Sequence, residues 1–598
     1  MTRLGFDPAR LGFALRTAPL ACLALYIAWA MGLEHPQWAA MTVWATAQPS
    51  RGQLLEKGLF RSLGTVVGAL AGVLLVWASG GQPAWLAPGL AAWIALCAFW
   101  GNVLRGFVSY GFILAGYSAA MVSLLDSGHP DHVLLLGLDR MATVLVGALT
   151  ALAAGWLITP ALPAQGLPGR VNALTARLLR AMAEPGTADT TPLLREMAAI
   201  EEALEAHGAG SLRQRRAVRA IRLLLTAEVS AILWLKSRRV PAPGIAAMLL
   251  AAAEAVEAGR TPALDAERDG DVPLCEVLAR LSACLAQGAV TLPGHPLVLH
   301  RDWVGARQAA MRALAAMLGV GLLWVLSGWE GGAFMLLGTA VMTSLFSTMD
   351  NPALVMRFVA QGQVLGVAGA LACRWLAWPW ATDAQQLVLL MMPFIMLGVP
   401  ILAHRRTAPM GFDYCMVMLL MSQPHFPLAG SFQHSLAMGA AVVAGPAVAL
   451  CFYRLVYPTD ARSRMRVLVA MMVRELRDMA APGATPSPTL WRARLYHRLL
   501  RLVGWAEKTG ASGAADGGLA VLALGGAVLR LQALRREALP DGCTRAVAAA
   551  LKRLHQDPGD AGTVLAIAAT RLERAGRAEA EAMRFAVRAL AAQRGFFA

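Results

Sequence analysis

The residues in this sequence that could do chemistry are ionisable groups set inside apolar runs. "GLDRMATVLVGALT" places Asp139 and Arg140 within a long hydrophobic stretch, and "MGFDYCMVML" does the same for Asp413. Charge is costly in hydrocarbon, so an ionisable residue there marks an ion or substrate pathway by default. On this reading Arg140 is an anion contact, Asp139 its partner, and protonation the means of release; Asp413 carries a proton. The plainer readings are a self-satisfied ion pair and an acid at a water-facing helix end. A third group lies in "AQPSRGQLLEKGLFR", where Arg51, Lys57 and Arg61 follow a Gln-Pro break. As a cytoplasmic elbow between two spans they would collect anions at the inner mouth of a pathway, or serve topology alone.

The elements that must position these groups follow from hydropathy. The chain has 598 residues, 57% hydrophobic and only 15% charged, whereas an ordinary soluble protein is about 25% charged. Its apolar blocks approach the roughly 20 residues needed to cross a bilayer. They fall at 13–33, 37–48, 62–79, 84–101, 106–125 and 134–158, then at 308–328, 332–348, 358–378, 387–403, 408–422 and 432–456. The first block is too long for a cleavable leader and is expected to remain as a span. Lys and Arg gather on the cytoplasmic side of such proteins. Arg3, Arg10 and Arg16, then the elbow, Arg105 and Arg170 mark alternate loops, while "GLEHPQ", "SGGQPA" and "DSGHPDH" carry neither residue. Both termini are therefore expected in the cytoplasm.

The expected fold class is an all-α polytopic membrane protein. About twelve transmembrane helices form two six-helix repeats, each followed by a cytoplasmic helical domain. The divisions are residues 1–160 and 306–457 for the repeats, and 161–305 and 458–598 for the helical domains. "LGTVVGALA" (63–71) meets "LGVAGALA" (365–372), and Arg105 meets Arg406 at the same offset. Such parallel repeats occur in one class of transporters. Gly64, Gly68 and Gly72 share one helix face, where small residues let helices approach closely, and a homodimer could use such faces. "GGLAVLALGG" (517–526) is too short to span and reads as a buried helix.

Several classes are excluded. There is no phosphate-cradling GxxxxGK[ST] loop, HExxH, GxSxG or paired-cysteine pattern, so no enzyme activity, cofactor or metal is expected. The formal charge of +16 comes from Arg beside apolar blocks, which is topology and lipid contact rather than nucleic acid. Eight cysteines without paired spacing read as reduced thiols.

"HPQWAAMTVWATAQPSRGQLLEKGLFRSLGTVVGALAG" resembles the signature of the fusaric acid resistance and aromatic carboxylic acid exporter family. The residues that carry the likeness are Pro36, Trp38, Ala39, Pro49, Arg61, Gly64, Thr65 and Gly68. In the second group the place of Arg61 is taken by Gln363, and "WEGGAF" stands where Pro36-x-Trp38 would recur. The resemblance implies efflux of small aromatic acids or related toxic organic anions across a bacterial inner membrane, driven by the proton gradient. It also implies a periplasmic membrane-fusion adaptor and an outer-membrane channel as partners. An aromatic carboxylate needs a cation and aromatic walls, and Arg140, Tyr110, Tyr117 and Trp38 could supply them. The competing reading is an uncoupled pore or an envelope-lipid-handling membrane protein.

Overall fold

The computed structural model describes residues 5–125, 130–158, 166–184, 189–237, 239–264, 272–286, 301–428, 430–511 and 513–597. Among them the regular structure is helical, apart from one isolated bridge between Phe6 and His404. The chain divides into two units, residues 1–162 with 301–460 and residues 163–300 with 461–598.

The first unit begins with α1 (Pro8–Ala30), α2 (Gln37–Thr46), α3 (Arg51–Ser79), α4 (Pro83–Val103), α5 (Gly106–Leu124) and α6 (Val133–Ile158). The polar segment that follows holds α7 (Gly166–Ala183), α8 (Thr191–His207), α9 (Leu212–Lys236), α10 (Pro243–Glu257) and α11 (Val272–Ala286). The first unit resumes with α12 (Trp303–Ser327), α13 (Gly332–Leu345), α14 (Pro352–Ala372), α15 (Ala384–Met396), α16 (Gly398–Ala403), α17 (Ala408–Met421) and α18 (Phe432–Leu455). The second polar segment holds α19 (Ala461–Ala480), α20 (Pro488–Thr509), α21 (Ala514–Leu534), α22 (Asp541–Gln556), α23 (Gly562–Arg574), α24 (Glu579–Ala592) and α25 (Arg594–Phe597).

Ten described helices are long and apolar enough to cross a membrane. Nine lie in the first unit, joined there by the shorter apolar α13 and α17 and by α2. Its expected blocks therefore all appear as helices. α2 is only 10 residues long, about 15 Å of helix against roughly 30 Å of hydrocarbon. It can be short because each of its residues is buried in protein, and backbone is tolerated at membrane depth where protein encloses it.

Packing within this unit is reciprocal. α1 lies on α15 and α16 as α12 lies on α4; α2 meets α17 as α13 meets α5; α3 packs on α5 and α6 as α14 packs on α17 and α18. Exchanging the two groups of helices leaves this pattern unchanged, as two related halves require. Glycine sets the closest of these contacts. A Cβ on Gly68 would lie 2.5 Å from the Ala115 carbonyl oxygen, and one on Gly72 2.8 Å from that of Ala119. The matching faces of α14 and α17 touch at Gly366, whose Cβ would lie 2.9 Å from the Tyr414 oxygen.

Loop contacts sort the ends of the bundle. Asp7 N–H donates to the Ala403 carbonyl and Arg405 N–H to that of Gly5, so the basic N-terminal segment and the basic "AHRRTAP" loop share one end. His35 and His425, from two Lys- and Arg-free loops, meet at the other with ring centroids 5.9 Å apart.

In the second unit α21 is the tenth long apolar helix. It runs well beyond 517–526, and its apolar surface is spent on α19, α20, α22 and α24. A helix apolar all round is a core helix or a span, and enclosure by its neighbours makes this one a core helix.

Candidate functional site

α3 begins at Arg51, which corrects the expected elbow. The turn is only residues 47–50, and Lys57 and Arg61 are helical. Arg61 stands ten residues into the helix, about 15 Å from its start, and is 2% exposed. It lies on the buried face that also carries Gly58, Gly64, Thr65 and Gly68, so its side chain enters the bundle. Its Nη1 donates to the Tyr110 hydroxyl at 2.7 Å and, more weakly, to that of Tyr117 at 3.5 Å. Its Nη2 donates to Thr42 Oγ1 at 3.2 Å. Lys57 Nζ sits 5.2 Å from the centre of the Tyr110 ring. Arg51 remains at the basic end, its guanidinium 5.9 Å over the Trp156 ring.

Arg140 and Asp139 are both buried in α6, but they do not form the expected ion pair. Adjacent helix residues diverge by about 100° and do not face one another. Asp139 turns to the loop before α2, accepting from Glu34 N–H at 2.9 Å, His35 N–H at 3.2 Å and His35 Nδ1 at 3.0 Å. Arg140 turns inward over the Trp38 ring, 4.9 Å from its centre. His35 stacks on the same ring at 4.2 Å and 11°. A stacked imidazole fills one face of the indole, so the guanidinium takes the other.

These contacts form a file: Lys57, Tyr110, Arg61 with Tyr117 and Thr42, then, through the Thr42 hydroxyl on the Trp38 carbonyl, Trp38 with Arg140, His35 and finally His425. It runs from the basic end of the bundle to the end poor in Lys and Arg. Arg61 and Arg140 reach the same helix one turn apart, at Thr42 and Trp38 of α2, and among the described residues no carboxylate forms an ion pair with either. Arg61 Nε and Arg140 Nε and Nη1 are buried without a protein acceptor. Burying a guanidinium costs several kcal/mol. Two hydrogen bonds to a charged group, each worth about 1.5–3 kcal/mol, and the weaker Tyr117 contact offset that for Arg61. A cation–π contact of about 2 kcal/mol does less for Arg140. The arrangement suits an anion: two guanidinium groups with open donors, walled by indole and phenol rings.

Asp413 lies elsewhere, on α17 against α14. It is 8% exposed, and among the described residues no cation pairs with it. A Cβ on Gly362 would meet its Cβ at 2.8 Å. Next to Gly362, the buried Gln363 donates to Met342 Sδ at 3.8 Å, and its Oε1 has no partner.

The sequence profile of the fusaric acid resistance protein family matches residues 10–243 and 244–595. The chain belongs to that family. Curated relatives of this family member include an uncharacterized transporter, GOX0755, of Gluconobacter oxydans, 27% identical over 61% of this chain and 59% of the relative. The p-hydroxybenzoic acid efflux pump subunit AaeB of Edwardsiella tarda is 26% identical over 60% of this chain and 64% of its own length. The uncharacterized transporter YdhK of Escherichia coli is 27% identical over 31% of this chain and 28% of its own. The matched region thus spans less than two thirds of each relative. No solved structure matches the chain.

Sequence reasoning missed four members of these clusters in this family member. Thr42 was legible, one turn after Trp38 on the same face of α2. Arg61 as a bundle residue was also legible, since 61, 64, 68 and 72 repeat at helical spacing. His35 and His425 reach the file through loop contacts that no local pattern encodes.

Proposed function

We propose that this protein is an inner-membrane efflux transporter for aromatic carboxylic acids or related toxic organic anions. One observation carries the reading: Arg61 and Arg140 are buried one turn apart along α2, with open N–H donors and aromatic walls and, among the described residues, no carboxylate paired to either. A substrate carboxylate would accept from those donors and neutralise one charge, while its ring packs against Trp38, Tyr110 and Tyr117. Arg51 and Lys57 at the basic end would gather anions before entry. The relatives named as p-hydroxybenzoic acid efflux pump subunits supply the probe. The reading is of a carrier rather than an enzyme, working across the cytoplasmic membrane with both termini inside, as loop charge requires.

The reading includes four functional segments, two transmembrane halves (1–160 and 306–457) and two cytoplasmic helical domains (161–305 and 458–598). It also includes drive by the proton gradient, and hand-over to a periplasmic adaptor and an outer-membrane channel. The unbroken cationic file itself favours a second reading, an uncoupled anion pore.

Export of p-hydroxybenzoate from liposomes holding the purified protein tests both. The carrier predicts export that rises with an inward proton gradient and falls in Arg61→Gln and Arg140→Gln at equal protein levels. A flux indifferent to the gradient moves the pore to first place. A flux indifferent to both substitutions contradicts the site.

A further inference from the structure

The two halves of the bundle correspond in packing but not in chemistry. α3 rests on α5 through Gly64 beside Gly111, and α14 rests on α17 through Gly366, 2.9 Å from the Tyr414 oxygen. Matching Leu63-Gly64 to Leu365-Gly366 shifts α3 onto α14 by 302 residues, and those contacts then shift α5 onto α17 by 303. Arg61 then falls on Gln363, and Tyr110 on Asp413. Where the first half holds a cation against a phenol, the second holds a neutral amide and an acid.

We propose that Asp413, with Gln363 beside its helix contact, is the site that carries the coupling proton, so that one half binds the anion and the other the proton. The inference rests on the efflux reading above and locates its energy coupling.

Three observations support a proton as the occupant. Asp413 is buried, and among the described residues no cation pairs with it, so its neutral form has a use here that an ion-paired acid would not have. Gln363, the residue after Gly362, is 2% exposed and keeps an unpartnered Oε1, a buried polar group without charge where the first half has an arginine. The helices also approach closely here, a Cβ on Gly362 lying 2.8 Å from that of Asp413, a contact that suits a proton better than a hydrated ion. The groups facing this point are few. α14 presents Gly362; α17 itself adds Cys415 two residues on. α16 brings Leu402 to Gly411, and Trp44 of α2 lies near Cys415 at Gly398. Replacing Arg61 by Gln363 is what leaves the acid unpaired: an arginine at that place would hold Asp413 ionised throughout a cycle.

The test uses the full chain in liposomes, with p-hydroxybenzoate as probe and two readouts. Infrared difference spectra between acid and alkaline buffer should show the C=O band of a titrating carboxylic acid, absent from Asp413→Asn. The same variant should lose the stimulation of export by an inward proton gradient, yet keep exchange of internal for external probe when no gradient is imposed. Where Asp413→Asn does not assemble, Asp413→Glu serves: the band should move rather than vanish, and stimulation should persist. An unchanged band in either variant, or undiminished stimulation in Asp413→Asn, overturns the assignment. If the wild type does not move the probe, the efflux reading fails, and the infrared band alone decides whether Asp413 titrates.

Discussion

The Arg61 guanidinium and the Tyr110 hydroxyl are held 2.7 Å apart by a helix contact that leaves neither much freedom. α3 and α5 touch at Gly64, Gly68 and Gly72 on successive turns, fixing their register, and Lys57 covers the Tyr110 ring. The phenol therefore orients the Arg61 guanidinium. Removing the hydroxyl should loosen the site without removing its charge. Tyr110→Phe should weaken p-hydroxybenzoate binding by about 10-fold, one hydrogen bond to a charged group. Tyr117→Phe, which loses only a 3.5 Å contact, should cost several times less. Titration of the purified variants checks the order.

Asp139 is a tether for the loop ahead of α2 rather than the counter-ion of Arg140. Asp139→Asn alters the acceptor of two backbone N–H groups and His35. It should lower stability by about 1–3 kcal/mol. Hydrogen exchange at Glu34 and His35 should rise. A stable variant that loses anion affinity as fully as Arg140→Gln would restore the ion-pair reading.

Helix approach at the glycine face is a steric requirement. In Gly68→Leu the side chain would begin 2.5 Å from the Ala115 oxygen and 2.7 Å from Ser118 Cβ, forcing α3 from α5 and separating Arg61 from Tyr110. Export should be abolished with the protein still inserted, as measured by its yield in washed membranes.

The second unit has a pH dependence of its own. Glu228 of α9 is fully buried, accepts from Thr175 Oγ1 at 2.5 Å, and burial pushes its carboxyl from 4.5 up to about 8. The folded chain therefore keeps a proton that the unfolded chain releases in that interval. Stability falls as pH rises from about 4.5 to about 8 and levels off above. Glu228→Gln should remove this slope, raising the stability of α9 at pH 8 by a few kcal/mol while changing it little at pH 4. Hydrogen exchange along α9 at the two pH values checks the sign.

Much of the fold was legible because hydrocarbon imposes a simple rule on composition. The block at 37–48 became α2 at Gln37–Thr46, and the glycines at 64, 68 and 72 proved to be contact points. The site was less legible because one residue type served two purposes. Arginine near a span end reads as topology, and Arg61 was assigned to a loop on that ground although its spacing from Gly64 placed it on the packed face. The choice of partner for Asp139 was illegible, since His35 lies more than a hundred residues away and only tertiary packing brings it near. Gln363 departs from the first half in sequence, and its place beside Gly362, the contact point with α17, gives the difference a physical meaning.

The central claim is that Arg61 and Arg140 form one anion site, and calorimetric titration of the purified protein tests it most directly. Wild type, Arg61→Gln and Arg140→Gln would each be titrated with p-hydroxybenzoate and with the neutral p-hydroxybenzamide. The account predicts that the wild type binds the carboxylate and discriminates against the amide, and that each substitution weakens carboxylate binding by about 10–100-fold, the worth of a charge-assisted hydrogen bond. Equal affinity for acid and amide, or carboxylate binding unchanged in both variants, would contradict it.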